Sequence, residues 1–180
     1  MPPDARIDIS RSPGVPDLMP DAELVAVLLA ALDAAGAPPD ATVSLALTDD
    51  AELAELNAAH MGKDGPTDVL SFPLLPPSAF PGHPGQHPAL REPAPAGPAF
   101  TLPPGEAVHL GDIVVSVERA IEQASEGHGG QTGDVAWHPA DELRLLVTHG
   151  ALHLCGWDHA EPEEEAAMRT LERRLLGLEG

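Results

Sequence analysis

The chain is short of cysteine, of aromatic side chains and of positive charge, and each shortage closes off a class of protein. Cys155 is the single cysteine among 180 residues. No internal disulfide can staple the fold, and a reducing cytoplasm is the compartment that suits it. Aromatic residues make up 3% of the chain against 43% hydrophobic residues. Leu, Val and Ala must therefore fill the core, and the hydrophobic content excludes general disorder. Lys and Arg number 9 against 29 Asp and Glu, for a formal net charge of -20. Phosphate affinity comes largely from Lys and Arg, so this balance excludes a generic nucleic-acid binder and confines any such contact to a local patch. Lys63, Arg119, Arg144, Arg169, Arg173 and Arg174 are the candidates, although each alone reads first as a solvated or helix-pairing residue. Long apolar runs are missing too. Leu24 to Leu32 and Leu145 to Val147 are too short or interrupted to cross a bilayer, so no membrane partner is expected. Met1-Pro2-Pro3-Asp4 lacks the basic and then apolar pattern of a secretory signal.

What the chain does have is a run of three histidines: His149-Gly150-Ala151-Leu152-His153-Leu154-Cys155-Gly156-Trp157-Asp158-His159. On a helix, His149 and His153 are one turn apart, about 6 Å along the axis, and share a face. Two imidazoles so placed can converge on one ion. Gly156 can take the left-handed conformation that ends a helix, which lets the chain turn and return His159 as a third ligand. Three protein ligands leave an open position on a tetrahedral metal, the arrangement of a catalytic rather than a structural site. Imidazole nitrogen suits one Zn²⁺ best, with Ni²⁺ or Cu²⁺ as alternatives.

The helix-borne zinc motif HExxH is the physical comparison, and the difference is informative. Its second residue is a Glu acting as general base of a peptidase. Here that position is Gly150, which has no side chain, so ordinary zinc-peptidase chemistry lacks its base. Cys155 lies two positions beyond His153 and points away from the histidine face, as a small packing residue would. Asp158, beside the third ligand, could orient an imidazole or accept a proton, or could simply serve its turn.

Along the chain, Ile7 and Ile9 alternate as a strand from Arg6 to Ser10, and Val43, Leu45 and Leu47 mark a second. A helix with Asp21 as N-cap carries Leu24, Leu28, Ala31 and Ala35; Asp49 or Asp50 caps another that bears Leu53 and Leu56. Val69 to Phe72 and the more apolar Gly111 to Val117 read as strands, the second suited to a buried sheet position. Val117 to Ser125 reads as a helix leading into a glycine-rich connection at Gly127 to Gly133. The histidine helix starts at Pro139, with Asp141 and Glu142 favourable to its dipole, and is apolar nearly all round. Pro162 starts the last helix, with Met168, Leu171, Leu175 and Leu178 in one core stripe. Ten of the 29 residues from Pro76 to Pro104 are proline. That stretch should be extended or mobile, and its prolines deny His83 and His87 the helix that would align them.

The histidine run resembles the HGxLHLxGxDH signature of the YbeY family of metal-dependent endoribonucleases, which act in ribosomal RNA maturation and ribosome quality control. Gly65-Pro66-Thr67-Asp68-Val69-Leu70-Ser71-Phe72-Pro73 is similar to that family's PTDVLSFP segment. Leu110-Gly111-Asp112-Ile113-Val114-Val115-Ser116 is similar to its LGDIVIS segment, and both stand in the family's order. The resemblance implies an α+β fold: a single domain over residues 1–180, with a small mixed β-sheet of about four strands. Helices pack with that sheet around a buried central metal-binding helix, and a Pro-rich insertion at about 76–106 is foreign to most relatives. It also implies His149, His153 and His159 as metal ligands and single-stranded RNA, ribosomal RNA and ribosomal components as partners, in the cytoplasm.

For RNA cleavage a metal can polarise a phosphoryl oxygen and acidify water. Either water or the substrate's 2′-hydroxyl could then attack, and the sequence leaves both open. The family is noted for an arginine just before PTDVLSFP; the matching position, aligned through Leu56-Asn57 and Gly62-Lys63, is Met61. A thioether cannot replace a guanidinium, so Lys63, or Arg119 or Arg144 from elsewhere in the fold, is expected to supply charge to the reaction, with Asp158 as a further catalytic candidate. Asp68 and Ser71 match positions of the family motif near the metal helix; Thr67 and Ser71 could donate hydrogen bonds to phosphate, but they read first as structural, as Asp112 does. Two other readings stand beside the nuclease: a metallohydrolase with a different substrate, such as a peptide, and a non-catalytic, metal-stabilised ribosome assembly factor.

Overall fold

The structure is a computed structural model and describes residues 6–62, 67–80, 107–126 and 138–177. Four strands form one sheet: β1 (Ile7–Arg11), β2 (Thr42–Thr48), β3 (Val69–Pro73) and β4 (His109–Ser116), in the order β1-β2-β4-β3. β1 and β4 run parallel to β2, and β3 runs antiparallel to β4, with Val69 opposite Val115 and Ser71 opposite Ile113. Among the described residues five α-helices accompany it: α1 (Asp21–Ala34), α2 (Asp50–Leu56), α3 (Val117–Ser125), α4 (Pro139–Leu154) and α5 (Pro162–Leu175). This is the α+β domain with a small mixed sheet that the resemblance implied.

The alternation in β2 sends Val43, Leu45 and Leu47 into the main core, where they meet Leu24 and Leu28 of α1, Leu152 of α4 and Met168 of α5. Central β4 is buried on both faces, as parallel strands under helices are. Ile113 and Val115 join the main core, and Val114 packs on the other side with Leu70 and with Leu53 of α2. α4 carries ten buried residues of its 16. Its apolar circumference makes it the central helix expected.

The local starts and stops follow capping chemistry. Asp49 Oδ1 accepts the Glu52 amide at 2.9 Å and caps α2. Asp21 is not the cap of α1: Pro20 holds that position, Asp21 is the first helical residue, and its carboxylate pairs with Arg11 at 2.5 Å. α2 runs on into a π-helical turn, Asn57–Met61, that ends at Gly62 with φ +63°. β4 begins two residues earlier than the sequence suggested, because Thr42 N–H reaches back to the Val108 carbonyl at 2.8 Å and extends the pairing.

The start of the proline-rich stretch packs firmly rather than hanging free. Pro77–Ala79 makes a 3-10 turn, Phe80 is 6% exposed in the main core, and Pro77 lies against Gly156. Residues 81–106, with His83 and His87, lie outside the described residues, as do Leu178 and the connection Gly127 to Gly133.

Candidate metal centre

α4 opens at Pro139, where the proline sacrifices no hydrogen bond, and Asp141 Oδ2 accepts the His138 amide at 3.0 Å to close a capping box. It closes at Gly156, φ +86°, where the Trp157 amide donates to Leu152 O at 3.0 Å and the Gly156 amide to His153 O at 3.1 Å. That is the glycine stop with paired terminal bonds that turns a chain sharply. The turn returns His159 to the helix, steadied by its own amide donating to Asp158 Oδ1 at 2.7 Å.

One donor atom from each of His149, His153 and His159 lies within 4.8 Å of the other two, so the three could hold one metal ion. The rings are placed by partners on their outer nitrogens. His149 Nδ1 is 2.6 Å from Glu172 Oε1, a carboxylate 1% exposed. His153 Nδ1 is 2.9 Å from the Trp157 carbonyl oxygen. A carbonyl can only accept, and an ionised carboxylate likewise, so both Nδ1 atoms carry the hydrogen. Both Nε2 lone pairs then point inward, 2.9 Å apart. Nitrogens that close share either one proton or a cation between them. The donor set therefore fits a divalent ion that takes neutral imidazole.

Electrostatics agree with that geometry. Burial, then the neighbouring His149 and His159, pushes His153 down to about 4 from an ordinary 6.5, which keeps it neutral and able to ligate. Burial pushes the Cys155 thiol up to about 12. It is fully buried and outside the histidine cluster, the packing residue its helix position implied.

An open cleft of about 170 Å³ lies at the cluster, lined by His149, His159, Glu165, Met168, Arg169 and Glu172. Its far wall is α5. Glu172 was not singled out in the sequence, yet a signal existed: it follows Met168 by four positions and precedes Leu175 by three, on a core stripe where a charge needs a partner.

Of the other sequence candidates, Arg169 lines the cleft with His149 and His159. Asp158 is exposed; its Oδ1 accepts the His159 amide, and its charge acts on the His153 imidazole. Arg119 is spoken for by Asp50 and Glu122, each at 3.1 Å. Lys63 lies outside the described residues. Ser71 Oγ donates to the Gly150 carbonyl at 2.9 Å, tying β3 to α4, and Asp68 Oδ1 accepts the Val69 amide at 2.8 Å. Asp112 meets His109 Nε2 at 3.1 Å on the same strand.

Comparison with known proteins decides the lineage. A family model described as Endoribonuclease YbeY matches residues 17–178. The chain belongs to the YbeY family. Among its relatives, the Endoribonuclease YbeY of Salinispora tropica is 45% identical over 171 residues, spanning 94% of this chain and 93% of that one. The Endoribonuclease YbeY of Thermobifida fusca is 38% identical over 172 residues, spanning 94% and 91%. That of Beutenbergia cavernae is 38% identical over 162 residues, spanning 89% of each. The solution structure of TM1509 from Thermotoga maritima is similar with a TM-score of 0.49 and 23% identity, over 95% of this chain and 89% of that one. Within this YbeY chain, Gly150 occupies the position of the peptidase base, and the geometry gives a reason. A Cβ there would sit 2.7 Å from Ile113 Cγ2 and 3.2 Å from Val69 Cγ2, so the position faces the sheet and admits no side chain.

Proposed function

We propose that this chain is a metal-dependent endoribonuclease that holds one Zn²⁺ through His149, His153 and His159 and cuts single-stranded RNA. Ribosomal RNA in the cytoplasm, among ribosomal components, is its setting. The reading takes residues 1–180 as one domain with a proline-rich insertion at about 76–106. The observation that carries it is the pair of inward Nε2 atoms 2.9 Å apart, each ring fixed from behind. Zn²⁺ is preferred over Ni²⁺ and Cu²⁺ because three imidazoles with an open position suit its catalytic sites. When bound, the ion supplies Lewis-acid polarisation of a phosphoryl group and acidifies water.

The chain's own residues do the rest. Glu172 and the Trp157 carbonyl hold two imidazoles in the ligating tautomer. α5 walls the cleft on one side through Glu165, Met168, Arg169 and Glu172, and a splayed single strand offers its backbone to such a cleft more readily than an A-form duplex does. Among the described residues no helix is long and apolar enough to cross a membrane.

A peptidase reading is disfavoured by Gly150, whose side-chain direction is filled by Ile113. The net charge of -20 favours one alternative, a non-catalytic assembly factor, because it slows approach to RNA. Purified protein of known metal content, assayed on single-stranded RNA, duplex RNA and casein, separates the three. Cleavage of the first alone is the expected result. Wild type and Met61→Arg both inactive on RNA with every metal tried would leave the assembly factor standing.

A further inference from the structure

We infer that Arg169, on α5, binds a phosphate of the substrate beside the histidine cluster, and that Glu165 is the built-in anion which that phosphate displaces. This deepens the nuclease reading and rests on it. Arg169 lines the cleft with His149 and His159 and, among the described residues, is the one cation that does. The other arginines nearby in sequence or space are committed elsewhere. Arg119 bridges Asp50 and Glu122, Arg144 bridges Asp141 and Glu23, and Arg174 lines a separate groove with Trp157.

Arg169 Nη2 donates to Glu165 Oε1 at 2.6 Å, and both side chains are about half exposed, at 49% and 46%. An exposed i,i+4 pair of this kind contributes little net stability. Exchanging its carboxylate for a phosphate therefore costs little, and the planar guanidinium fork matches two phosphate oxygens. In a chain with a net charge of -20, one cation at the cleft is what makes a phosphate locally welcome. Glu165 lines the same cleft. It therefore screens Arg169 until a stronger anion arrives.

The pair makes opposite predictions for its two members, which a merely structural ion pair does not. Binding of a fluorescent, fully 2′-O-methylated single-stranded oligoribonucleotide to metal-loaded protein is followed by anisotropy, with the oligonucleotide's integrity checked afterwards. Arg169→Ala should weaken binding about tenfold, the loss of a charge-assisted hydrogen bond. It should also flatten the slope of log K against log salt by about 0.7, one phosphate contact fewer on a single strand. Arg169→Lys should restore the slope and part of the affinity. Glu165→Gln should tighten binding about threefold, within the range of exposed pair energies, and that gain should vanish in the double variant. Metal content should stay at the wild-type value in all four. Unchanged affinity and slope in Arg169→Ala, loss of its metal, or a Glu165→Gln gain that persists without Arg169 would each overturn the assignment. Wild type that neither binds nor cuts single-stranded RNA would overturn the nuclease reading beneath it, whereas wild type that cuts RNA alongside an unaltered Arg169→Ala sinks the assignment alone.

Discussion

A carboxylate that is 1% exposed has to be hydrogen-bonded, and Glu172 spends its Oε1 on the Nδ1 of His149 at 2.6 Å. Such a partner fixes the tautomer, aims Nε2 at the ion and raises its basicity. Glu172→Gln should therefore lower metal affinity about tenfold or more while the protein stays folded, a change read by competition with a chelator. Wild-type affinity in that variant would show that the contact only fills space. His153 supplies a second residue-scale prediction. Its pKa is lowered to about 4 in the metal-free fold against 6.5 when unfolded. Between those values the unfolded chain binds the extra proton, so stability is complete above about 6.5 and declines as pH falls toward 4. Thermal melts of metal-free protein should show this loss, and His153→Ala should flatten it. The three histidines were legible because their spacing is a helical turn plus a glycine-stopped return. Glu172 was not, since it comes from a different helix.

At the scale of elements, the centre depends on how closely α4 lies on β3 and β4. Gly150 is the contact point, with Ile113 Cγ2 2.7 Å from where a Cβ would be, and Ser71 Oγ clips the same turn through the Gly150 carbonyl. Gly150→Ala should cost about 1–3 kcal/mol, the usual penalty of overpacking. The rings are held by Glu172 and the Trp157 carbonyl rather than by this seam, so bound metal should be retained; denaturant unfolding and elemental analysis read the two separately. The starts of α4 and α5 were readable because Pro139 and Pro162 are local signals that act within one turn. The π-helical turn at Asn57–Met61 was not. It differs from α-helix in hydrogen-bond partner rather than in composition.

For the molecule as a whole, the order β1-β2-β4-β3 brings β4 between two strands that precede it in sequence. Such non-local pairing leaves no local mark, so the residues alone gave strands without their order; the family resemblance supplied the class of fold. The proline-rich stretch is described as far as Phe80. Phe80→Ala should destabilise by about 3 kcal/mol because the ring is 6% exposed in the main core. Replacing residues 81–106 by a short Gly/Ser linker should shift stability by less than about 1 kcal/mol, since closure entropy changes slowly with loop length. A loss of several kcal/mol would mean that this stretch is bound into the domain. The central claim is that one ion, shared by His149, His153 and His159, drives RNA cleavage. Its most direct test is a titration of Zn²⁺ into metal-free protein, with bound metal and cleavage of single-stranded RNA measured on the same samples. Activity should rise in step with binding and saturate at one equivalent, and His153→Ala should neither bind nor cut. Activity that is full before metal is added, or that survives in His153→Ala, would contradict it.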